Sequence, residues 1–594
     1  MLRAIIKRLV FTIVLFIVVF FLVVQHPLFL FSDAKIGRNS GIDKGFSLKG
    51  ERKIPISMNT NSACLDKKIL HSSHLILYYF VPLQPQMRRL FVIILLTSSL
   101  CLLAQQQRPL FDSLQYRLEL QTTLSDGDNT PLWLNANRYG LSSLRTHNGY
   151  LRAALGRDLG RDSLRRWGVG YAVDVVAPVG FTSHVVVQQA FVEGRWLKGV
   201  LTLGSKEWPM QLKNQELSSG SQTLGINARP IPQLRLALDE YWSIPFTHNW
   251  VAIKGHIAYG MQTDTRWQKD FTERQHKYIE HPLYHSKAGY LRIGPKNITL
   301  ELGLEMVCQF GGVTHQFIDG EPPVIYNDKS LSGFITAFTS GGFDATDNHW
   351  KNNAGNNLGS WVGRLNMDYK KWNLGLYFDR YFEDHSAMLF MDYDGYGSGQ
   401  EWDKRKRSRF FLYDLKDMML GAELTLKRVS WLNHIVVEYL HTMYQSGPVY
   451  HDHTQNISDH ISGRDNYYNH LLQTGWQHWG MVMGNPLYRS PLYNDNKEVR
   501  VDNNRFIAYH LGVSGQPLSR LHYRLLTTWQ RSYGTYYVIL PDPQENVSLL
   551  AEVQYQLPRG GWQVKGGFGF DTGKTYGRNT GIQLTITKTG LLRR

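Results

Sequence analysis

Residues 549–594 alternate apolar and polar side chains in three consecutive runs, and this pattern restricts what the chain can fold into. A tight turn at 558–561 separates the first two runs, and a longer loop at 571–580 separates the second from the third. Because successive side chains of a strand point to opposite sheet faces, each run predicts a strand with one apolar face. The apolar positions are Leu549, Ala551, Val553, Tyr555, Leu557, Trp562, Val564, Phe568, Phe570, Ile582, Leu584 and Ile586.

Such strands suit either a soluble sandwich or a membrane barrel. In a sandwich the apolar face packs on a second sheet, whereas in an outer-membrane barrel it contacts lipid and the polar face lines the lumen. Short turns that alternate with long loops, and aromatic residues at strand ends, favour the barrel. The same alternation recurs at 114–121, 167–175, 298–306 and 372–379. We therefore predict an all-β fold, a transmembrane antiparallel outer-membrane β-barrel, whose last strand ends at Ile586.

The composition agrees with a barrel and disfavours other classes. A mean hydropathy of −0.31 is too polar for a helical membrane protein of this size, and an aromatic content of 13% suits interface girdles. The cysteines, Cys64, Cys101 and Cys308, lack zinc-site spacing and form no even set for disulfides. Residues 1–86 carry +7 of the formal net charge of +16, and the remainder is spread along the chain. We therefore expect no nucleic-acid partner, no metal and no cofactor.

Met87 begins a segment with the features of a secretory signal peptide. Arg88 and Arg89 form a charged start, an apolar run follows, and Ala104 precedes polar glutamines. We interpret residues 87–104 as this signal peptide and residues 105–594 as one barrel domain. Residues 1–86 are then a non-native N-terminal extension from an over-called start. The alternative is a tether at the apolar run 10–24, which would conflict with insertion of the barrel in another membrane.

Three stretches in the middle of the chain carry a family resemblance. They are Leu217-Ser218-Ser219-Gly220 with Asn227-Ala228-Arg229-Pro230-Ile231-Pro232-Gln233; Tyr381-Phe382-Glu383-Asp384; and Asp465-Asn466-Tyr467-Tyr468-Asn469 with Gly475-Trp476 and Gly484-Asn485-Pro486-Leu487. Their order and spacing over residues 105–590 resemble the capsule assembly Wzi family, in the form met in Bacteroidetes-type bacteria. The run 227–233 is the most specific of them. His385-Ser386-Ala387 departs from the family pattern, which has Ser-Gly directly after the acidic residue at 384.

The resemblance implies a barrel of about 18 strands in the cell outer membrane. It implies a non-enzymatic, lectin-like protein that binds exported surface polysaccharide and supports capsule assembly or attachment. The implied partners are capsular or other surface polysaccharide, outer-membrane lipid or lipopolysaccharide, and a polysaccharide export channel.

Three short stretches of the chain offer candidate polysaccharide-binding residues. Saccharides are bound by aromatic faces and by amides or carboxylates that pair with hydroxyl groups. A basic loop, in turn, attracts acidic polysaccharide or lipopolysaccharide phosphate. The candidates are Glu383, Asp384, Lys404, Arg405, Arg407, Asp465, Asn466, Tyr467, Tyr468, Asn469 and Trp476. If they bind polysaccharide, these loop side chains should face outward; otherwise they are turn formers, girdle residues and a solvated loop.

Two further hypotheses remain open at this point. A porin or transporter for sugars or small hydrophobic molecules requires an open lumen. An enzyme requires a converging carboxylate pair, yet Glu301 and Glu305 would lie about 13 Å apart along a strand, too far for glycoside hydrolysis. Glu383 and Asp384 would point to opposite faces if both lie on a strand. The motif His451-Asp452-His453 is weak evidence for a metal. We therefore predict no catalytic residue.

Overall fold

The computed structural model describes residues 113–592, apart from 163–165, 318–322, 340–341, 345–348, 352–354, 384–387, 389–393, 397–398, 402, 408–416 and 452–459. Within these residues, one sheet contains 18 strands. Its first nine strands are β1 (Gln115–Gly127), β2 (His147–Arg157), β3 (Trp167–Val179), β4 (Val186–Trp196), β5 (Gly199–Ser205), β6 (Gln233–Ser243), β7 (Val251–Met261), β8 (Leu283–Ile293) and β9 (Ile298–Phe310). The other nine are β10 (Asn356–Asp368), β11 (Trp372–Phe382), β12 (Met418–Leu426), β13 (His434–His441), β14 (Phe506–Leu518), β15 (Leu521–Gly534), β16 (Ile539–Gln556), β17 (Trp562–Gly573) and β18 (Asn579–Leu591).

The sheet closes on itself. Each strand pairs antiparallel with the next one along the chain, and β18 pairs back with β1 from Gln115↔Leu591 to Gly127↔Asn579. Closure removes the sheet edges, so every barrel strand has two hydrogen-bonded neighbours. The predicted fold, an antiparallel barrel with about 18 strands, is confirmed.

The two faces of the barrel differ in chemistry. On β1, Leu118 and Leu120 are exposed on the outside, whereas Glu119, Gln121 and Thr123 are buried on the inside. The same apolar exterior recurs around the barrel, for example at Leu151, Val173, Leu201, Leu236, Val437, Leu525, Val553, Ile582 and Leu584. An apolar exterior of this extent would be unfavourable in water and is favourable in lipid.

The last strand is longer than the sequence pattern indicates. The prediction that it ends at Ile586 is wrong, because β18 continues to Leu591. Residues 587–591 pair with the start of β1, and Thr587 Oγ1 donates to Glu119 Oε2 at 2.8 Å inside the barrel. Barrel closure supplies hydrogen-bond partners that the alternation of apolar residues does not reveal.

Short turns connect the strands at one end of the barrel, and longer loops connect most of them at the other. The β4–β5 and β14–β15 connections have two residues each, whereas the long-loop end carries the connections 206–232, 262–282, 311–355, 383–417 and 442–505. The helix α1 (Leu132–Asn135) lies in the connection 128–146 at the same end, and α2 (Thr265–Phe271) and α3 (Leu331–Thr339) lie in the connections 262–282 and 311–355. Among the described residues, none of the helices has the length and apolar character needed to cross a membrane.

Short strands and 3₁₀ turns complete the loops. The short strands are Tyr278–Glu280, Val313–His315, Val324–Tyr326, Gly342–Asp344, His349–Lys351, Asp394–Tyr396, Arg405–Arg407, Ser446–His451, His460–Arg464, Gln477–His478 and Met481–Val482. The 3₁₀ turns are Leu159–Asp162, Gly399–Glu401 and Pro491–Tyr493.

Three loop segments fold back into the lumen and form what we call the plug (residues 130–141, 206–232 and 465–504). Trp133 Nε1 donates to Thr528 on β15 at 3.1 Å, and the Trp476 ring stacks on Tyr284 of β8 at 6.1 Å between centroids. Plug and wall share one apolar core, to which the plug contributes Leu132, Trp133, Leu217, Tyr468, Trp476, Met483 and Leu487. The lumen is thus filled at this level by a packed core that contacts opposite sides of the wall.

Candidate functional site

Buried carboxylates on the barrel wall hold the plug. Glu438 on β13 accepts hydrogen bonds from Ser218 Oγ at 2.6 Å, from the Ser219 amide at 2.8 Å and from Tyr377 OH at 2.6 Å. Because buried polar groups need hydrogen-bond partners, these three bonds to one buried side chain fix the first motif of the plug to the wall.

A second carboxylate anchors the next turn of the same segment. Asp379 on β11 pairs with Lys213 at 2.8 Å and accepts from the Gln222 amide at 3.0 Å. The Gln222 side chain in turn donates to the Asp379 carbonyl at 2.6 Å. A charged pair buried in this way requires both partners, because either charge alone would be uncompensated.

The predicted aromatic ligands Tyr467, Tyr468 and Trp476 are buried, so the expectation that they face outward is wrong for these three. Tyr468 stacks on Tyr488 at 4.0 Å, and burial raises its pKa well above the usual range. Trp476 Nε1 donates to the Thr223 carbonyl at 3.0 Å. The physical reason is that their loop turns inward, where rings fill the lumen and stabilise the plug.

Other predicted residues converge on a cavity of about 940 Å³ at the long-loop end. Glu383, Asp465, Asn466 and Asn469 line this loop-end cavity, although they come from two different connections. Residues from the connections 262–282, 311–355 and 535–538 complete its wall. The volume lies at the upper end of the usual range for ligand pockets.

The amides at the cavity are held rigidly. Asn469 exchanges two hydrogen bonds with the backbone of Val501, each 2.8 Å long. Asn466 Oδ1 accepts from Asn504 at 2.6 Å and from Asn469 at 3.1 Å. Glu383 accepts from Tyr381 OH at 2.5 Å and from the Tyr468 amide at 3.2 Å. Side chains fixed in this way are preorganised for hydrogen bonding to a ligand.

Exposed aromatic and apolar side chains border the same cavity, and the sequence reasoning missed them. Phe317 is 51% exposed, Leu471 67% and Tyr537 74%. Tyr537 follows Tyr536 in the four-residue connection 535–538. A connection this short cannot bury two adjacent tyrosines, so the sequence contained a signal that one of these rings is exposed. Phe317 had no comparable signal.

Charges of both signs surround the cavity. Glu498 lies between Arg500, at 2.6 Å, and His276, at 3.8 Å. Lys277 Nζ donates to the His470 carbonyl at 2.6 Å, and burial together with nearby Arg500 lowers the pKa of Lys277 to about 8. Burial beside Lys277 also lowers the pKa of His470 to about 3, so this ring is neutral at physiological pH. Because positive and negative side chains both border the cavity, it is better suited to a polar ligand than to a strongly charged one.

Of the remaining predicted residues, Lys404 is the one whose side chain the structure describes. Lys404 is exposed and pairs with Glu401 at 3.5 Å, away from the cavity lining. Arg405 and Arg407 belong to a short hairpin with Asp394–Tyr396, and their side chains lie outside the described part of the structure. Asp384 also falls outside the described residues.

Outside the loop-end cavity, the described part of the chain contains further buried carboxylates and a buried cysteine. No group of three or more His, Cys, Asp or Glu side chains is arranged there to hold a metal ion. Glu301 accepts from Tyr241 OH at 2.8 Å and Glu305 from Tyr290 OH at 2.7 Å, so each carboxylate has its own tyrosine partner. Cys308 is fully buried.

The fold and its apolar exterior define the class: a closed, 18-stranded antiparallel barrel of the outer-membrane type. No family model matches the chain, and no curated protein matches it either. Among solved structures it is similar to Wzi, an outer membrane protein involved in group 1 capsule assembly in Escherichia coli and a carbohydrate-binding β-barrel. That similarity has 13% identity and a TM-score of 0.49, and covers 82% of this chain and 87% of Wzi.

Two Pseudomonas aeruginosa barrels are more distant. OprD shares 9% identity with a TM-score of 0.40, covering 81% of this chain and 96% of OprD. OccD3 (OpdP) shares 8% identity with a TM-score of 0.39, covering 81% of this chain and 91% of OccD3. At such low sequence identities and TM-scores, the ligands of these proteins cannot be assigned to this chain. A ligand has to be inferred from the residues of its own cavity.

Proposed function

We propose that this chain is a non-enzymatic protein of the cell outer membrane that binds exported surface polysaccharide and supports capsule assembly or attachment. The long loops face the cell exterior, as is usual for outer-membrane barrels, and polysaccharide binds in the loop-end cavity. Outer-membrane lipid surrounds the apolar exterior. This proposal agrees with the Wzi-like motifs of the sequence, which supply both the plug and part of the cavity wall.

The observation that carries the proposal is the composition of the loop-end cavity. Carboxylate and amide groups of Glu383, Asp465 and Asn469 line it beside the exposed rings of Phe317 and Tyr537. Rings that stack on sugar C–H faces, beside acceptors and donors for hydroxyl groups, are the combination that polysaccharide recognition needs.

The plug favours a binding protein over a porin. A porin needs a continuous aqueous path, whereas Trp133, Leu217 and Trp476 belong to one packed core shared with the wall. Steady ion conductance of the parent protein in planar bilayers would instead support the porin hypothesis.

Binding by the full-length protein in detergent tests the cavity. Calorimetric titration with soluble capsular polysaccharide fragments should show affinity about fivefold to tenfold lower for Tyr537→Ala and for Phe317→Ala, because each loses one stacking surface. Tyr537→Phe should bind like the parent protein, since it keeps the ring.

The matched control is Tyr326→Ala. Tyr326 is 81% exposed on a long-end loop strand but does not line the cavity. An equal loss of affinity in Tyr326→Ala, or unchanged affinity in Tyr537→Ala, would exclude the cavity as the binding site.

A further inference from the structure

A second cavity, of about 120 Å³, lies inside the barrel between the plug and the inner wall of β6, β7 and β8. Its lining includes Trp208 and Arg229 from the plug and Arg235, Lys254 and Tyr290 from the wall. We call it the luminal cavity. It shares none of its lining residues with the loop-end cavity.

Buried nitrogen–hydrogen groups at this cavity lack acceptors. Trp208 Nε1, Arg229 Nε and Arg235 Nε are each inaccessible to solvent and have no hydrogen-bond partner among the described residues. Nearly all buried polar groups in folded proteins find a partner, so these three donors, together with the buried acceptor Gln233 Oε1 at the same cavity, indicate a missing polar ligand.

Carboxylates lie near these cations, since Asp239 lines the cavity and Glu301 and Glu305 act on Lys254, but Lys254 and Arg229 donate their hydrogen bonds to neutral groups. Lys254 Nζ donates to the neutral Gln211 side chain at 2.6 Å, and Arg229 donates to Ser183 Oγ at 2.7 Å. The nearest carboxylate of Arg235 belongs to Asp239, at 3.8 Å, beyond hydrogen-bond distance. Among the described cations that line the cavity, Lys206 is the one that contacts a carboxylate within hydrogen-bond distance, that of Glu193 at 2.5 Å. Buried charges without paired counter-charges are unfavourable, and an added anion would relieve this.

Aromatic rings hold these cations in place without neutralising them. The Arg235 guanidinium lies 4.0 Å from the Trp208 ring centroid, and Lys206 lies 4.9 Å from the same ring. Lys254 lies 4.5 Å from the Tyr241 centroid and 5.1 Å from that of Tyr290. Cation–π contacts of this kind fix the positive groups while leaving their donors available to an anion.

We propose that the luminal cavity binds one anionic group, a carboxylate or a phosphate, with Arg235, Trp208 and Lys254 as its principal contacts. A cavity of about 150 Å³ holds a ring the size of benzene, so this one suits a single oxyanion group and excludes a whole saccharide chain. The anion is either a free inorganic ion or the acidic group of a sugar such as a uronate. The proposal concerns the lumen and does not depend on polysaccharide binding at the loop end.

Calorimetric titration of the full-length protein in neutral detergent, at constant ionic strength, tests this site. The probes are inorganic phosphate, glucuronate and glucose. We expect phosphate and glucuronate to bind and to raise the midpoint of thermal unfolding, because a ligand bound only by the folded state stabilises it, and we expect no effect of glucose. Glucuronate that binds at least tenfold more tightly than phosphate assigns the site to a sugar acid, and equal affinities assign it to a free anion.

Two variants connect the binding to the cavity. Arg235→Gln should lower the affinity for either anion by about tenfold to a hundredfold, the effect of one charge-assisted hydrogen bond. Trp208→Phe removes the ring N–H but keeps the surface on which the cations stack, so it should fold normally and bind the anions more weakly. The control is Lys198→Gln, which removes a positive charge from the exposed β4–β5 turn and should bind like the parent protein.

Two results would overturn the proposal. One is the absence of binding by both phosphate and glucuronate, which would mean that water alone occupies the cavity. The other is an unchanged affinity of Trp208→Phe for both anions. This result would overturn the proposal even if Arg235→Gln fails to fold.

Discussion

At the scale of single residues, the interior of this barrel is an array of charged and hydroxyl groups that each require a specific partner. Lys213 and Asp379 are the extreme case, with side chains 1% and 0% exposed and 2.8 Å apart. Their charges stabilise the protein only as a pair, because the low-polarity surroundings cannot solvate either one alone.

Lys213→Met should lower the free energy of unfolding by about 3–5 kcal/mol, since it leaves the Asp379 carboxylate buried and unpaired. The double variant Lys213→Met/Asp379→Leu should recover part of this loss, because it removes the orphaned charge. Urea unfolding of the protein in phospholipid vesicles measures both variants. A single variant as stable as the parent would show that the pair does not hold the plug.

At the scale of elements, the plug segments are held to the strands by a few buried anchors. Glu438 alone accepts hydrogen bonds from Ser218, Ser219 and Tyr377, which joins the 206–232 segment to β11 and β13. The plug should therefore loosen when this carboxylate is removed.

Glu438→Ala should produce ion conductance in planar bilayers, whereas the parent protein should be closed. The reason is that Ser218 and Ser219 lose their acceptor and the segment is released from the wall. Glu545→Ala is the control, since that carboxylate is exposed and lies 3.9 Å from its partner Arg531. Steady conductance in the parent protein would instead support the porin hypothesis.

The position of an outer-face residue along its strand predicts how deeply it lies in the membrane. On β18, Leu584 and Leu591 are almost equally exposed on the outer face, 45% and 46%, but Leu584 lies near the middle of the strand and Leu591 at its end. Leu584→Arg should destabilise the folded barrel in vesicles by about 2–4 kcal/mol, and Leu591→Arg by only about 0–1 kcal/mol. Urea titration compares them, and equal effects would contradict a lipid-facing exterior.

At the scale of the whole molecule, the proposal is retention of polysaccharide at the cell surface by a protein translated from Met87. A strain that lacks the gene should shed a larger fraction of its surface polysaccharide. A gene beginning at Met87 should restore the cell-bound fraction, because we propose that residues 87–104 direct export, and the barrel strands begin only at Gln115. The ratio of cell-bound to shed polysaccharide measures this.

The possible results separate the hypotheses. A ratio unchanged by the deletion would remove the retention role and leave the porin hypothesis. Failure of the Met87 gene, with rescue by the full-length gene, would show that residues 1–86 are needed.

The sequence alone predicted the barrel, the apolar side of its strands and several residues of the loop-end cavity. These predictions rest on local physics: side chains alternate in a strand, so Leu549, Ile582 and Glu552 reveal their face within a few neighbours. The end of β18 escaped prediction because residues 587–591 are ordered by pairing with β1, at the opposite end of the chain.

Only the tertiary structure decided which loop residues line the loop-end cavity. Asp465 and Asn469 border the loop-end cavity, whereas Tyr468, one residue away from Asn469, lies in the core against Tyr488. Phe317 and Tyr537 reach the same cavity from distant connections. The physical reason is that loops without periodic pattern take their direction from long-range packing in the lumen, and no local pattern in the sequence encodes those contacts.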